Sequence, residues 1–126
     1  MLRRLCLLRG LYRMINISVY RTEEGLIQQI SSKGHASTDL TCTQVSVLMF
    51  ALERGLRQAV GIDKLWYARN VTDGVIQIIW DTEDVEQMKD AAILSSAIAL
   101  TLQQIALLSD GDVVVTERKA VKDEDD

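Results

Sequence analysis

Residues Ile15-Asn16-Ile17-Ser18-Val19-Tyr20 alternate apolar and polar, the period of a strand buried on one face. Glu24-Gly25 supplies a turn, and Leu26 to Ser32 reads as a second strand, completing a hairpin. Gly34-His35-Ala36-Ser37-Thr38 breaks the alternation and reads as a loop. From about Thr41 the period becomes helical: Val45, Leu48, Met49, Leu52, Leu56 and Ala59 form one stripe, and Gly61 is placed to end the helix. A second hairpin is expected from Leu65–Val71 and Val75–Trp80 around the turn signal Asp73-Gly74. Asp81-Thr82-Glu83-Asp84 suits a helix start, with acidic side chains at the positive end of the dipole. That helix is expected to reach Leu108 and end at Ser109-Asp110-Gly111, before a last strand at Val113-Val114-Val115. The order ββαββαβ predicts an α+β fold, with two helices packed on one mixed or antiparallel sheet.

Length and charge narrow this further. The 126 residues fit one domain, expected over residues 14–121, and 48% hydrophobic with 25% charged residues is an ordinary globular balance. Arg3, Arg4, Arg9 and Arg13 give residues 1–13 a charge of +4. The remainder holds 10 basic and 18 acidic side chains, a body of −8 that favours a basic partner and argues against nucleic acid. Leu5-Cys6-Leu7-Leu8 is too short for a signal-peptide core, so residues 1–13 are read as an extension, with the true start expected at Met14. Residues 122–126 read as a solvated acidic tail. The apolar run Ala91–Leu108 is interrupted by Ser95, Ser96, Thr101, Gln103 and Gln104, so no membrane span is expected. Its apolar residues cover more than one face, as for burial on two sides or a subunit interface.

Two cysteines exclude a disulfide scaffold, and a single histidine excludes any site that needs two imidazoles from one chain. No metal and no cofactor is expected. The residue pair with chemical potential is His35 and Cys42. Asp39 is a good helix N-cap, which makes Cys42 the third helical residue, and Thr41 is a competing cap. Either way the sulfur lies near backbone N–H groups whose partial positive charge favours thiolate over thiol. A histidine across a short loop could act as its base. The competing readings are a small buried hydrophobe for Cys42 and a polar loop residue for His35. Ser46, one turn after Cys42, shares its helical face.

Gly34-His35-Ala36, then Asp39-Leu40-Thr41-Cys42, then Ser46, resembles the G-H-A…D-x-x-C-x-x-x-S pattern of the ribosomal-processing cysteine protease family, Prp. The resemblance covers nearly the whole chain from Met14. It implies Cys42 as nucleophile and His35 as base, with Gly34 allowing close backbone approach, Asp39 capping or positioning the loop, and Ser46 in a supporting contact. It implies as substrate the N-terminal extension of the large-subunit ribosomal protein numbered twenty-seven, and a homodimer, which suits the two-sided helix from Ala91. The chain departs from the pattern in its short Ala36-Ser37-Thr38 segment, where many members carry a longer glycine-containing loop, and in Thr43-Gln44, where small residues are usual.

The expected function is therefore a cytoplasmic cysteine endopeptidase that trims a basic ribosomal-protein precursor. The alternative is a non-catalytic dimeric binding or assembly factor for a ribosomal protein. A third reading makes Cys42 a redox sensor.

Overall fold

The computed structural model describes residues 14–120, so the extension at 1–13, the tail at 122–126 and Cys6 lie outside the described residues. The first alternation becomes strand β1, Ile15–Arg21, with Ile15, Ile17 and Val19 buried on one side. It turns through Gly25 into β2, Ile27–Gly34, which buries Ile27, Ile30 and Ser32. Helix α1 follows over Asp39–Arg54 and runs into a π-helical turn at Gly55–Val60. Strands β3, Lys64–Asn70, and β4, Val75–Asp81, form the second hairpin. Helix α2 spans Val85–Leu108, and β5, Val113–Lys119, ends the described chain.

The sheet order is β3-β4-β2-β1-β5, with β1 and β5 parallel and all other neighbours antiparallel. It is therefore mixed, and its one parallel pair requires a long crossover, which α2 provides. Both helices cover the face formed by Ile15, Ile17, Val19, Ile30, Ile76, Ile78, Trp80 and Val113, and the core lies between. The opposite face carries Asn16, Ser18, Gln29, Ser31 and Gln77, consistent with period-2 alternation on a one-sided sheet.

Three details differ from the periodicity. The first helix does not stay α-helical to Gly61. At Gly55 it meets Leu94 of α2 so closely that a Cβ there would lie 2.6 Å from Leu94 Cδ2, and the helix widens into its π turn at that contact. Gly61 then closes it at φ 88°, its N–H and that of Ile62 both donating to Leu56 O. The last strand is longer than its valines suggest, because parallel pairing carries Thr116–Lys119 alongside Ser18–Arg21. Arg21 Nε donates to Glu117 Oε1 at 2.6 Å and Arg118 Nε to Ser18 Oγ at 3.1 Å, so a charged edge strand is held by its side chains. Finally, α2 is long and apolar enough to cross a membrane. Its hydroxyls do not interrupt it as expected: Ser95 Oγ donates to Ala91 O at 2.6 Å and Thr101 Oγ1 to Ala97 O at 2.8 Å, inside the helix itself. In this fold its inner face, Ala91, Ser95, Ile98, Ala99 and Leu102, is buried in the core.

Candidate active site

The site begins where β2 ends. Gly34 pairs with Ile15 across the β1–β2 ladder and has φ 110°, and a Cβ there would overlap the Met14 carbonyl oxygen. Only glycine lets the chain leave the strand in this direction. The Gly34 N–H donates to Gly74 O at 3.0 Å, tying the end of β2 to the β3–β4 turn. His35 follows, only 4% exposed, with Nε2 3.3 Å from Thr72 O in that same turn. Ala36 is fully buried, and Ser37 Oγ donates to Asp112 Oδ2, which anchors the short loop to the segment between α2 and β5.

Neither expected residue caps α1. The N-cap is Thr38, extended at φ −126° and ψ 150°, whose Oγ1 accepts from Thr41 N at 3.2 Å. Three loop residues suffice to turn the chain from His35 into the helix, so it starts one residue earlier than an Asp39 cap requires. Asp39 is the first helical residue instead, where its charge suits the dipole, and its buried Oδ1 has no hydrogen-bond partner among the described residues. Cys42 moves to the fourth helical position, its N–H donating to Thr38 O at 3.2 Å. It remains in the first turn. Its sulfur, in a residue 6% exposed, accepts the Ala36 N–H at 3.3 Å and lies 3.9 Å from Ala36 O.

Gly34, His35, Cys42 and Ser46 line one cleft, whose walls include Ile15, Val45, Arg69, Val71 and Ile76. Four of the five expected residues therefore meet. Asp39 is outside the lining and acts on the site only through α1. Among the described residues, no three His, Cys, Asp or Glu side chains come together as metal ligands.

The residues that periodicity and motif missed belong to the β3–β4 turn. Asp73-Gly74 announces a hairpin, but only the register Lys33↔Val75 between β2 and β4 brings that hairpin's tip to His35. Arg69 reaches the cleft from β3, its guanidinium 4.7 Å from the Phe50 ring centroid, a cation–π contact that holds it over α1. A local signal for either contact does not exist in the sequence, since both depend on strand order.

Known proteins share this fold. A profile described as Cysteine protease Prp matches residues 14–113. Among solved structures, the Streptococcus mutans protein SMU.848 superposes with a TM-score of 0.74 at 20% identity, over 85% of this chain and 96% of that one. The Staphylococcus aureus ribosomal processing protease Prp, in complex with a covalently linked product peptide, gives 0.72 at 16% identity over 83% and 100%. The same S. aureus protease with a substrate peptide gives 0.70 at 14% identity, again over 83% and 100%. No curated protein matches the chain significantly.

Proposed function

The chain belongs to the Prp cysteine protease family, and on that premise we propose that it removes the N-terminal extension of a ribosomal-protein precursor, the large-subunit protein numbered twenty-seven, with Cys42 as nucleophile and His35 as base. The observation that carries this reading is the meeting of a buried thiol and the chain's single imidazole in one cleft, with the sulfur already accepting the Ala36 N–H. Cys42 attacks the scissile carbonyl carbon, and the positive end of α1 faces the oxygen that gains charge. Gly34 gives the His35 backbone its place, and Ser46 supports the same wall one turn along α1. A peptide bound in the S. aureus relatives supports a peptide as substrate here. The acidic body of this chain suits the basic character of a ribosomal protein.

The reading includes a cytoplasmic setting, where such a precursor is made, and a homodimer. Support for the dimer lies on the outer side of α2, where Ile93, Leu100 and Leu107 are exposed at heptad spacing, a seam suited to a second copy.

The test is cleavage of the precursor's N-terminal peptide, read by mass spectrometry, with wild type, Cys42→Ala and His35→Ala side by side. One cut in wild type, reduced at least about 10³-fold in both variants, is expected. Binding of the peptide without any cut would return the chain to the class of assembly factors.

A further inference from the structure

An imidazole that takes a proton from a thiol needs its lone pair on a defined nitrogen. Neutral histidine carries one proton and can hold it on either. In many hydrolases a carboxylate or amide side chain settles the choice by binding the other nitrogen. Here the partner of Nε2 is the backbone carbonyl of Thr72, at 3.3 Å. A carbonyl oxygen has only lone pairs to offer, so in the neutral ring this hydrogen bond exists only with the proton on Nε2 and the lone pair on Nδ1. We propose that the β3–β4 turn is the third partner of the catalytic pair: the Thr72 carbonyl holds the His35 proton on Nε2, so that Nδ1 is the nitrogen that deprotonates Cys42. The proposal rests on the reading of Cys42 and His35 as nucleophile and base.

Several features show that the turn is built for this position. Gly74 packs against the imidazole so closely that a Cβ would lie 2.9 Å from His35 Nε2 and 2.5 Å from Gly34 O. Its φ of 67° is itself a conformation that side chains disfavour. Any other residue there must push the ring or the end of β2 aside. The tip is braced from both sides: Gly34 N–H donates to Gly74 O at 3.0 Å, Gly74 N–H donates to Val71 O at 3.2 Å, Asn70 Nδ2 donates to Asp73 Oδ2 at 3.0 Å, and Asp73 N–H donates to Asn70 Oδ1 at 3.2 Å. His35, at 4% exposure, is largely shielded from water that would otherwise compete for Nε2.

The proton balance is simple. The Sγ–H bond of Cys42 breaks and an Nδ1–H bond forms, leaving a thiolate and an imidazolium whose Nε2–H still points at Thr72 O. That bond becomes charge-assisted and stronger. After the thiolate adds to the carbonyl carbon, the C–N bond breaks and the Nδ1 proton passes to the departing amine nitrogen. His35 is returned with its proton on Nε2. Thr72 and Gly74 are positioning residues, acting through His35 and not on the substrate.

Because the chain has one histidine, ring ¹⁵N spectra of the full chain report His35 alone. Wild type is expected to show a protonated Nε2 and a bare Nδ1; the opposite tautomer overturns the proposal without any variant. Gly74→Ala is expected to shift the ring off that tautomer and to lower kcat by about 10²-fold, with KM changed far less, the effect of misplacing a catalytic group by about 1 Å. Gly25→Ala is the control, since Gly25 has φ 90° but nothing within 4 Å of its Cβ position, and it should leave both tautomer and kcat unchanged. Asn70→Ala, which removes two of the bonds that brace the turn, should give a smaller shift in the same direction. An unchanged tautomer in Gly74→Ala and Asn70→Ala refutes the role of the turn. Full activity of His35→Ala, by contrast, refutes the nucleophile–base reading itself, whatever the spectra show.

Discussion

Replacing Gly34 with alanine adds a methyl group at the junction between β1, β2 and the catalytic loop. Two costs follow from the structure. Alanine at φ 110° pays the conformational penalty of a positive φ, about 1–2 kcal/mol. The new Cβ also overlaps the Met14 carbonyl oxygen, inside the 3.0 Å limit of real contacts, and the obstacle is backbone and not a flexible side-chain tip. Relief requires the Ile15↔Gly34 end of the ladder to open, an overpacking cost of about 1–3 kcal/mol. Together these destabilise the fold by about 3 kcal/mol. With a urea dependence of roughly 1.5 kcal/mol per molar, the unfolding midpoint should fall by about 2 M. Fluorescence of buried Trp80 provides the signal. Gly25→Ala separates the terms, because it carries only the conformational cost and should lose about 1 M or less. Cleavage should fail in Gly34→Ala even in the absence of urea, since His35 follows directly. Equal midpoints for Gly34→Ala and Gly25→Ala would show that β1 and β2 separate freely, and would remove the steric argument for the site's geometry.

The reassigned helix start is tested by Thr38→Ala, expected to cost about 1 kcal/mol through loss of the bond to Thr41 N–H, while Asp39→Ala costs less; chemical denaturation that ranks them the other way would restore Asp39 as the cap. Leu102→Ala, at a fully buried position, should destabilise by about 2–5 kcal/mol in the same assay, since it leaves a cavity under α2. Leu100→Lys, two residues away but 64% exposed, should leave the fold intact and halve the mass seen by sedimentation equilibrium; a wild type that sediments as a monomer would remove the proposed dimer. Releasing the loop with Ser37→Ala, which removes the hydroxyl bonded to Asp112, should lower kcat/KM several-fold with a stability loss of about 1 kcal/mol; unchanged kinetics would show that the loop holds its shape alone.

Much of this protein is local and was readable as such. The alternation over Ile15–Tyr20, the Asp73-Gly74 turn and the stripe from Val45 to Leu56 depend only on neighbours a few residues apart, and each becomes the element its period implies. The motif from Gly34 to Ser46 is equally compact in sequence, because β2, three loop residues and the start of α1 carry His35 and Cys42 to one cleft, although Asp112 and Gly74 from distant chain hold that loop in place. Helix ends were less legible. Thr38, Asp39 and Thr41 are all capable caps, and the choice among them is made by the direction in which the chain leaves Gly34. What the sequence could not specify is strand order. Hydrophobic period assigns a residue to a face but is silent on which strand lies beside it, so the parallel β1–β5 pair and the extension of β5 to Lys119 emerge only from assembly. The same holds for the site's outer half: Thr72, Gly74 and Arg69 reach His35 and the cleft because β4 pairs with β2, a contact between segments some forty residues apart that no local pattern encodes.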